Sequence, residues 1–339
     1  MELRVPFVTL LKIALAVLLA VIVIKLWPVI LMLIIAVVIA VLLDPVVLWL
    51  EVHRVRQTIA VLAVAFVVFG LLVAFLVGLL PAISREIAAV SHQLPQIAQR
   101  VTKVFPSLGA LLKAPGAMTR DWMVRGLVAG KFAIVGLSAV VLVLVVALYL
   151  LVEGRKVFAW FLSFAPRRFR GRIDQTGREM SGVVLAYMRG NVITSLICAG
   201  FVLIVLSALR IPLTLLLTVI AFIFDFVPVV GTIIMIVPAA LLGFVISPVR
   251  GVIIVAAYLF YHLVENYLIA PRVYGDTMRL STLTVILAIV IGGTLQGVIG
   301  AVLALPIAAA YPIVERIWLR DRLPPDTVKR HEELEHAEQ

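Results

Sequence analysis

Apolar residues run through this sequence in long blocks rather than in alternation. Residues 5–24, 29–43, 58–80, 131–152, 192–209 and 252–268 are each nearly free of charge. A helix needs about 20 such residues to cross a hydrocarbon core of about 30 Å, so the blocks predict six full transmembrane helices. The first two are divided by Lys25-Leu26-Trp27-Pro28, and Asp44-Pro45 closes the second. The block at 5–24 has a longer apolar core than a secretion signal, and another block follows almost at once, so it is expected to remain as a span. The ten-residue alternating segments of a membrane barrel are absent from the pattern.

Two further pairs of apolar segments are shorter. Residues 213–224 and 229–244 flank Phe224-Asp225-Phe226-Val227-Pro228-Val229-Val230-Gly231-Thr232. At 1.5 Å per residue they reach only about 18 and 24 Å. Pro228 removes a backbone donor and Gly231 frees the backbone, so the helix is expected to stop and restart here. Residues 281–291 and 298–313 flank Gly292-Gly293-Thr294-Leu295-Gln296-Gly297 in the same way. Each pair predicts a broken, re-entrant helical hairpin; two full crossings per pair would raise the count to eight. A span followed by a broken hairpin therefore occurs twice, at 191–246 and 250–313. Entry from opposite faces would make this an inverted repeat, the arrangement with which many secondary transporters build a site at the membrane midplane. The predicted fold class is an all-α polytopic membrane protein with a single transmembrane domain over 1–320.

Three polar segments complete the chain. Residues 81–130 form an amphipathic insertion in which Ile83, Ile87, Val90, Leu94, Ile97, Val101 and Val104 recur in steps of four and three. That stripe calls for a partner surface, either the protein's own membrane domain and the headgroups or a second subunit. Residues 153–190 carry Arg155, Lys156, Arg167, Arg168, Arg170, Arg172, Arg178 and Arg189, a basic loop expected on the cytoplasmic side. Residues 321–339 form a polar tail. With both termini inside, cytoplasmic segments hold 19 Lys and Arg against 10 outside, which places the insertion at 81–130 outside.

Composition agrees: 64% of the residues are hydrophobic and 14% charged, against about 45–50% and 25% in soluble domains. The net charge of +11 accompanies no nucleic-acid motif. It is assigned to cytoplasmic loops and anionic headgroups, so membrane lipids are expected partners and nucleic acid is not. Cys198, the single cysteine, leaves no internal disulfide and no thiolate metal site.

An ionisable group within hydrocarbon costs at least about 2.5 kcal/mol and normally faces protein or a water-filled cavity. Asp225 is therefore the leading functional candidate. It could bind and release a proton, or join backbone carbonyls freed by Pro228 in holding a sodium ion. Asn191, Thr194, Gln296, Glu265 and Asn266 are the other polar groups placed to meet a solute or ion, with Pro228 and Gly231 shaping the tip. Bonds between helices explain Thr194 and Gln296 equally well, and a surface role suits Glu265 and Asn266. Gly292, Gly293, Gly297, Gly300 and Pro306 are expected to act as hinges and close-packing points. Enzyme chemistry finds no support: Asp225 has no evident carboxylate partner, and the histidines lack metalloprotease spacing. No serine elbow or Walker sequence occurs, and no cofactor or metal is expected.

Several stretches together resemble the autoinducer-2 exporter family of bacterial membrane proteins, a group that includes sodium/proton antiporter-like members. They are Tyr149-Leu150-Leu151 with Glu153-Gly154-Arg155, Ala165-Pro166-Arg167-Arg168, Tyr187-Met188-Arg189-Gly190-Asn191, the Asp225 segment, Glu265-Asn266 with Pro271-Arg272 and Gly275, and Gly292-Gly293, Gly297, Gly300 and Pro306. The resemblance covers nearly the whole chain. It implies a transporter of the bacterial inner membrane, homo-oligomeric, that exports a small polar solute or exchanges a cation for protons. Ser281-Thr282 and Val229 stand where the family usually has a proline and an aromatic residue, so substrate identity does not carry over. A channel or a structural membrane protein is the remaining alternative, since broken hairpins also build pores.

Overall fold

A computed structural model of the protein describes residues 7–89, 115–227, 230–274 and 282–319. Every element among them is helical. Helix α1 is Phe7–Val52, and α2, Gln57–Ala74, continues through a π turn at Phe75–Leu79 as far as Ala89. Helices α3 (Pro115–Phe164) and α4 (Arg167–Ala208) follow. Two short helices, α5 (Thr214–Phe224) and α6 (Val230–Ile246), make the first hairpin. Helix α7, Pro248–Val264, extends through a π turn at Glu265–Ile269 to Tyr274. Helix α8, Thr282–Val314, ends in a π turn at Glu315–Leu319. Six stretches are long and apolar enough to cross a membrane, with α5 and α6 as shorter apolar helices. The chain is an all-α polytopic membrane protein.

The six stretches differ from the six spans read from the sequence. Helix α1 passes through Lys25–Pro28 without a turn and holds both Pro28 and Pro45. The expected division of residues 5–43 into two spans is thus replaced by one helix of 46 residues, about 69 Å long. Proline breaks helices in water, but inside a membrane protein neighbouring groups can satisfy the freed carbonyl. The chain first turns after Val52, where Arg54 takes a left-handed conformation with φ 66°. The basic segment at 153–190, expected as a loop, is also helical. Helix α3 runs on to Phe164 and α4 starts at Arg167. Arg170 caps the end of α3, its Nε donating to the Ala165 carbonyl (2.9 Å) and Nη2 to that of Ser163 (2.7 Å).

Leu283–Leu319 has the length of a span, but it folds back on itself. Gln296 (φ −146°) and Gly297 (φ 60°) leave the helical region, and only glycine adopts such a positive φ without strain. The two arms then lie against each other at Gly292 and Gly300. A Cβ on Gly292 would sit 2.7 Å from the Gly300 carbonyl carbon and 2.7 Å from the Ala304 Cβ.

Three clusters hold the bundle. Ala36, Ala40 and Val47 of α1 pack with Ala60, Val61 and Val64 of α2 and with Ala147 and Leu151 of α3. Cys198, Val202 and Leu206 of α4 pack with Leu217 and Ala221 of α5, Met235 and Ala239 of α6, and Ile254, Tyr258 and Tyr261 of α7. Tyr187 and Met188 of α4 join Val227 at the first hairpin tip to Ile289, Ala301 and Leu305 of the second. Lipid tails are as apolar as these side chains, so close approach of small residues and polar bonds hold the helices together. One such bond fixes the first hairpin: both Glu86 carboxylate oxygens accept from the Leu215 backbone N–H (3.1 Å), and Oε2 also from that of Leu216 (3.3 Å). These are donors that an α-helix leaves free at its start. Of the heptad stripe, Ile83 is buried and Ile87 exposed; Val90 to Val104, like the tail at 321–339, lie outside the described residues.

Candidate functional site

Helix α5 ends because its hydrogen-bond ladder stops at Asp225, whose N–H reaches the Ala221 carbonyl (2.9 Å). The Val227 N–H then turns back to Phe224 (2.9 Å), and that of Gly231 reaches Val227 (2.8 Å) as α6 starts. Gly231 is pressed against the end of α5: a Cβ there would fall 2.7 Å from the Phe224 carbonyl carbon and closer still to its oxygen. Pro228 lies outside the described residues. The break carries the half-buried Asp225, whose Oδ2 accepts from the Ser195 hydroxyl at 2.7 Å.

Ser195 belongs to a stripe along α4. Tyr187, Asn191, Thr194, Ser195 and Cys198 recur at steps of three and four, and all are buried. The Thr194 hydroxyl donates to the Asn191 carbonyl (3.0 Å), and the Cys198 thiol meets the Met235 sulfur (3.7 Å). Helix α7 supplies a second stripe, Tyr258, Tyr261, His262 and Glu265. Phe201 stacks on Tyr261 (4.5 Å between centroids) and meets Tyr258 edge-on (5.7 Å). His262 Nδ1 lies 3.6 Å from Glu265 Oε2, in the π turn. Asp225 is within electrostatic reach of Glu265, His262, Tyr261 and Cys198.

Tyr274, at the end of α7, closes over the first stripe. Its hydroxyl donates to Asn191 Oδ1 (3.2 Å), and its ring stacks with Tyr187 (6.2 Å). The ring rests on Gly190, where a Cβ would stand 2.6 Å from Tyr274 Cδ1. With Oδ1 engaged, Asn191 presents its amide N–H groups elsewhere. Asn191 Nδ2 and the hydroxyls of Tyr187, Tyr258 and Tyr261 are buried with no hydrogen-bond partner, as is His262 Nδ1. An unsatisfied buried group costs about 1–3 kcal/mol. Of these groups, Tyr187, Tyr261 and His262 lie within electrostatic reach of Asp225, so polar groups with unused hydrogen-bonding capacity share the interior with the carboxylate.

Of the residues read from the sequence, Asp225, Gly231, Asn191 and Thr194 come together here, with Glu265 in electrostatic reach. Asn266 is exposed beside Glu265. Gln296 lies half-buried at the bend of α8, Gly293 makes only ordinary contact with Ala301, and Pro306 is fully buried. Ser195, Tyr258, Tyr261, His262 and Tyr274 were not singled out from the sequence, and Tyr187 entered only within the stretch Tyr187–Asn191 that carries the family resemblance. Their spacing on two helices is the signal that could have found them. Among the described residues, no group of three His, Cys, Asp or Glu could hold a metal ion.

The family model for AI-2E family transporters matches residues 11–318. The protein YueF of Bacillus subtilis is 22% identical over 82% of this chain and 82% of its own length. YhhT of Escherichia coli K12 is 27% identical over 82% of this chain and 80% of its own. MT0215 of Mycobacterium tuberculosis is 30% identical over 51% of this chain and 48% of its own. All three carry the name "Putative transport protein". With a match over nearly its whole length, and with the polar groups of two helices gathered at a helix break, this chain belongs to the AI-2E family of transporters.

Proposed function

We propose that the protein is a secondary transporter that moves a small polar solute out of the cell across the bacterial inner membrane, with Asp225 coupling that movement to an ion. The observation that carries this reading is the Asp225 carboxylate itself, set at a break between two helices too short to span and bonded to the buried Ser195. A carboxyl in such a place can take up and release a cation as its access changes sides. Asn191, Thr194 and Tyr187 are the solute contacts in this reading, and the two hairpin tips are the parts that move. Val227 of the first tip packs with Ile289, Ala301 and Leu305 of the second, so a shift of one hairpin is felt by the other. The hairpins enter from opposite faces, the C-terminal end is cytoplasmic, and the protein works as a homo-oligomer. The unbroken α1 removes one crossing from the charge count, so the side of the N-terminus no longer follows from it.

A second reading, exchange of a cation for protons without a solute, is favoured by the nearness of Glu265 to Asp225, which gives two carboxylates to one site. Counterflow into proteoliposomes with a panel of small polar solutes, with and without an imposed proton gradient, separates the two. Saturable solute exchange supports export. Proton movement driven by sodium alone supports antiport, and selective flux that does not saturate contradicts both and favours a channel.

A further inference from the structure

A second concentration of chemistry lies where α3 turns into α4. Helix α3 runs on without a break from the end of its apolar block at Val152 to Phe164, so Trp160, Phe161 and Phe164 follow the hydrocarbon edge on the side of the basic segment, toward the headgroup layer. They are 58%, 62% and 70% exposed. Trp160 meets Phe161 and Phe164 edge-on, at 5.0 and 4.7 Å, so the three rings form one ledge. Aromatic residues favour this layer because one end of the ring is apolar and the other tolerates water.

The ledge has positive charge on both sides. Lys156 stands one turn before Trp160 on the same helix face, and Arg167 and Arg168 open α4 just past Phe164; all three are exposed. Of the nearby acids, Asp44 pairs with Arg155, Asp174 with Arg178, and Glu179 with Arg316, while Glu153 stands exposed one turn before Lys156. Among the described residues, no acid pairs with Arg167 or Arg168, and Arg168 lies over the Phe169 ring, 4.5 Å from its centroid. The turn is held by Arg170 and by Trp318, whose Nε1 donates to Thr176 Oγ1 (2.9 Å), so the groups are positioned in advance.

We propose that this ledge is a binding site for an acidic phospholipid. The headgroup phosphate sits at Arg167 and Arg168, Lys156 reaches up from the hydrocarbon edge, and the glycerol and upper acyl chain lie on the three rings. A second copy of the chain is the other occupant an exposed aromatic cluster could have. It would bring like charge to like charge here, whereas an anionic headgroup on the cytoplasmic leaflet is complementary.

The test uses the full chain in detergent, titrated with phosphatidylglycerol or phosphatidylcholine and read by native mass spectrometry. The parent should bind phosphatidylglycerol more tightly, and added salt should weaken that preference. Arg167→Gln/Arg168→Gln should lose about fivefold in affinity for each arginine removed, with phosphatidylcholine binding unchanged. Arg167→Lys/Arg168→Lys should keep most of the preference. Trp160→Ala/Phe164→Ala should weaken both lipids alike. If the double glutamine variant does not fold, the single variants and the salt titration of the parent give the same reading. Equal binding of the two lipids, or a preference that survives both salt and loss of the arginines, overturns the site. So does an aromatic variant that changes the subunit number while binding lipid as the parent does.

Discussion

Gly231→Ala adds one methyl group at the point where α6 starts against the end of α5. That carbon would lie 2.7 Å from the Phe224 carbonyl carbon and 3.3 Å from the Asp225 nitrogen, and nearer still to the Phe224 oxygen. The obstacle is backbone, which cannot rotate aside, so the two helices must separate. An extra methylene in a packed site costs about 1–3 kcal/mol, and a backbone clash belongs at the top of that range. Against it stands the gain of up to about 1 kcal/mol when alanine replaces glycine inside a helix. The clash wins by about 1–2 kcal/mol. Gly293→Ala is the control, since its nearest neighbour would be the Ala301 Cβ at 4.0 Å, an ordinary contact; only the helical gain remains there. Unfolding in mixed detergent micelles should therefore move in opposite directions for the two variants, and Gly231→Ala should also slow transport because Asp225 moves with the end of α5. Equal stability and equal transport for Gly231→Ala and the parent would refute the tight tip.

Ser195→Ala removes a hydrogen bond to a carboxylate, worth about 1.5–3 kcal/mol; transport should fall about tenfold or more in a protein that still assembles, and an unchanged rate assigns Ser195 to packing alone. Glu86→Ala takes the capping group from the start of α5 and should lower stability by about 0.5–2 kcal/mol in the same unfolding assay; no loss means that the hairpin is held from elsewhere. In a Cys198→Ala background, cysteines at Arg210 and Val249 should label with an impermeant reagent from outside and one at Arg167 from the cytoplasm. A cysteine at Val230, beside the tip, should react only through a water path, and rapid labelling from the cytoplasm with none from outside contradicts re-entry of the first hairpin.

Both helix breaks were legible in the sequence because each pairs a small or helix-breaking residue with polar groups inside an apolar run. The first falls at Asp225, the second at Gln296 and Gly297. The continuity of α1 was not legible. Lys25 and Pro28 are ordinary stop signals in water, and the local sequence does not say that the helix survives them. The helical α3–α4 turn was hidden for a related reason: charge density reads as a loop, while a long helix leaving the membrane is equally charged. Asp225 and Asn191 stood out as polar residues at depth, but Ser195 did not, because a lone serine in a membrane helix is common filler. Its importance comes from a partner 30 residues away in sequence. The same holds for Glu86 and Leu215, and for Tyr274 and Asn191, contacts that local pattern cannot encode.

The proposed coupling of transport to an ion rests on Asp225. Asn replaces Asp at nearly constant size and keeps a hydrogen-bonding oxygen for Ser195, but removes the charge and the titration. Purified Asp225→Asn should insert and assemble as the parent does and lose gradient-driven transport in proteoliposomes, while passive solute exchange can persist; Asp225→Glu should keep part of the activity. Transport by Asp225→Asn at the parent's rate, with the same dependence on pH and sodium, would show that Asp225 is structural and would contradict its assignment as the coupling group.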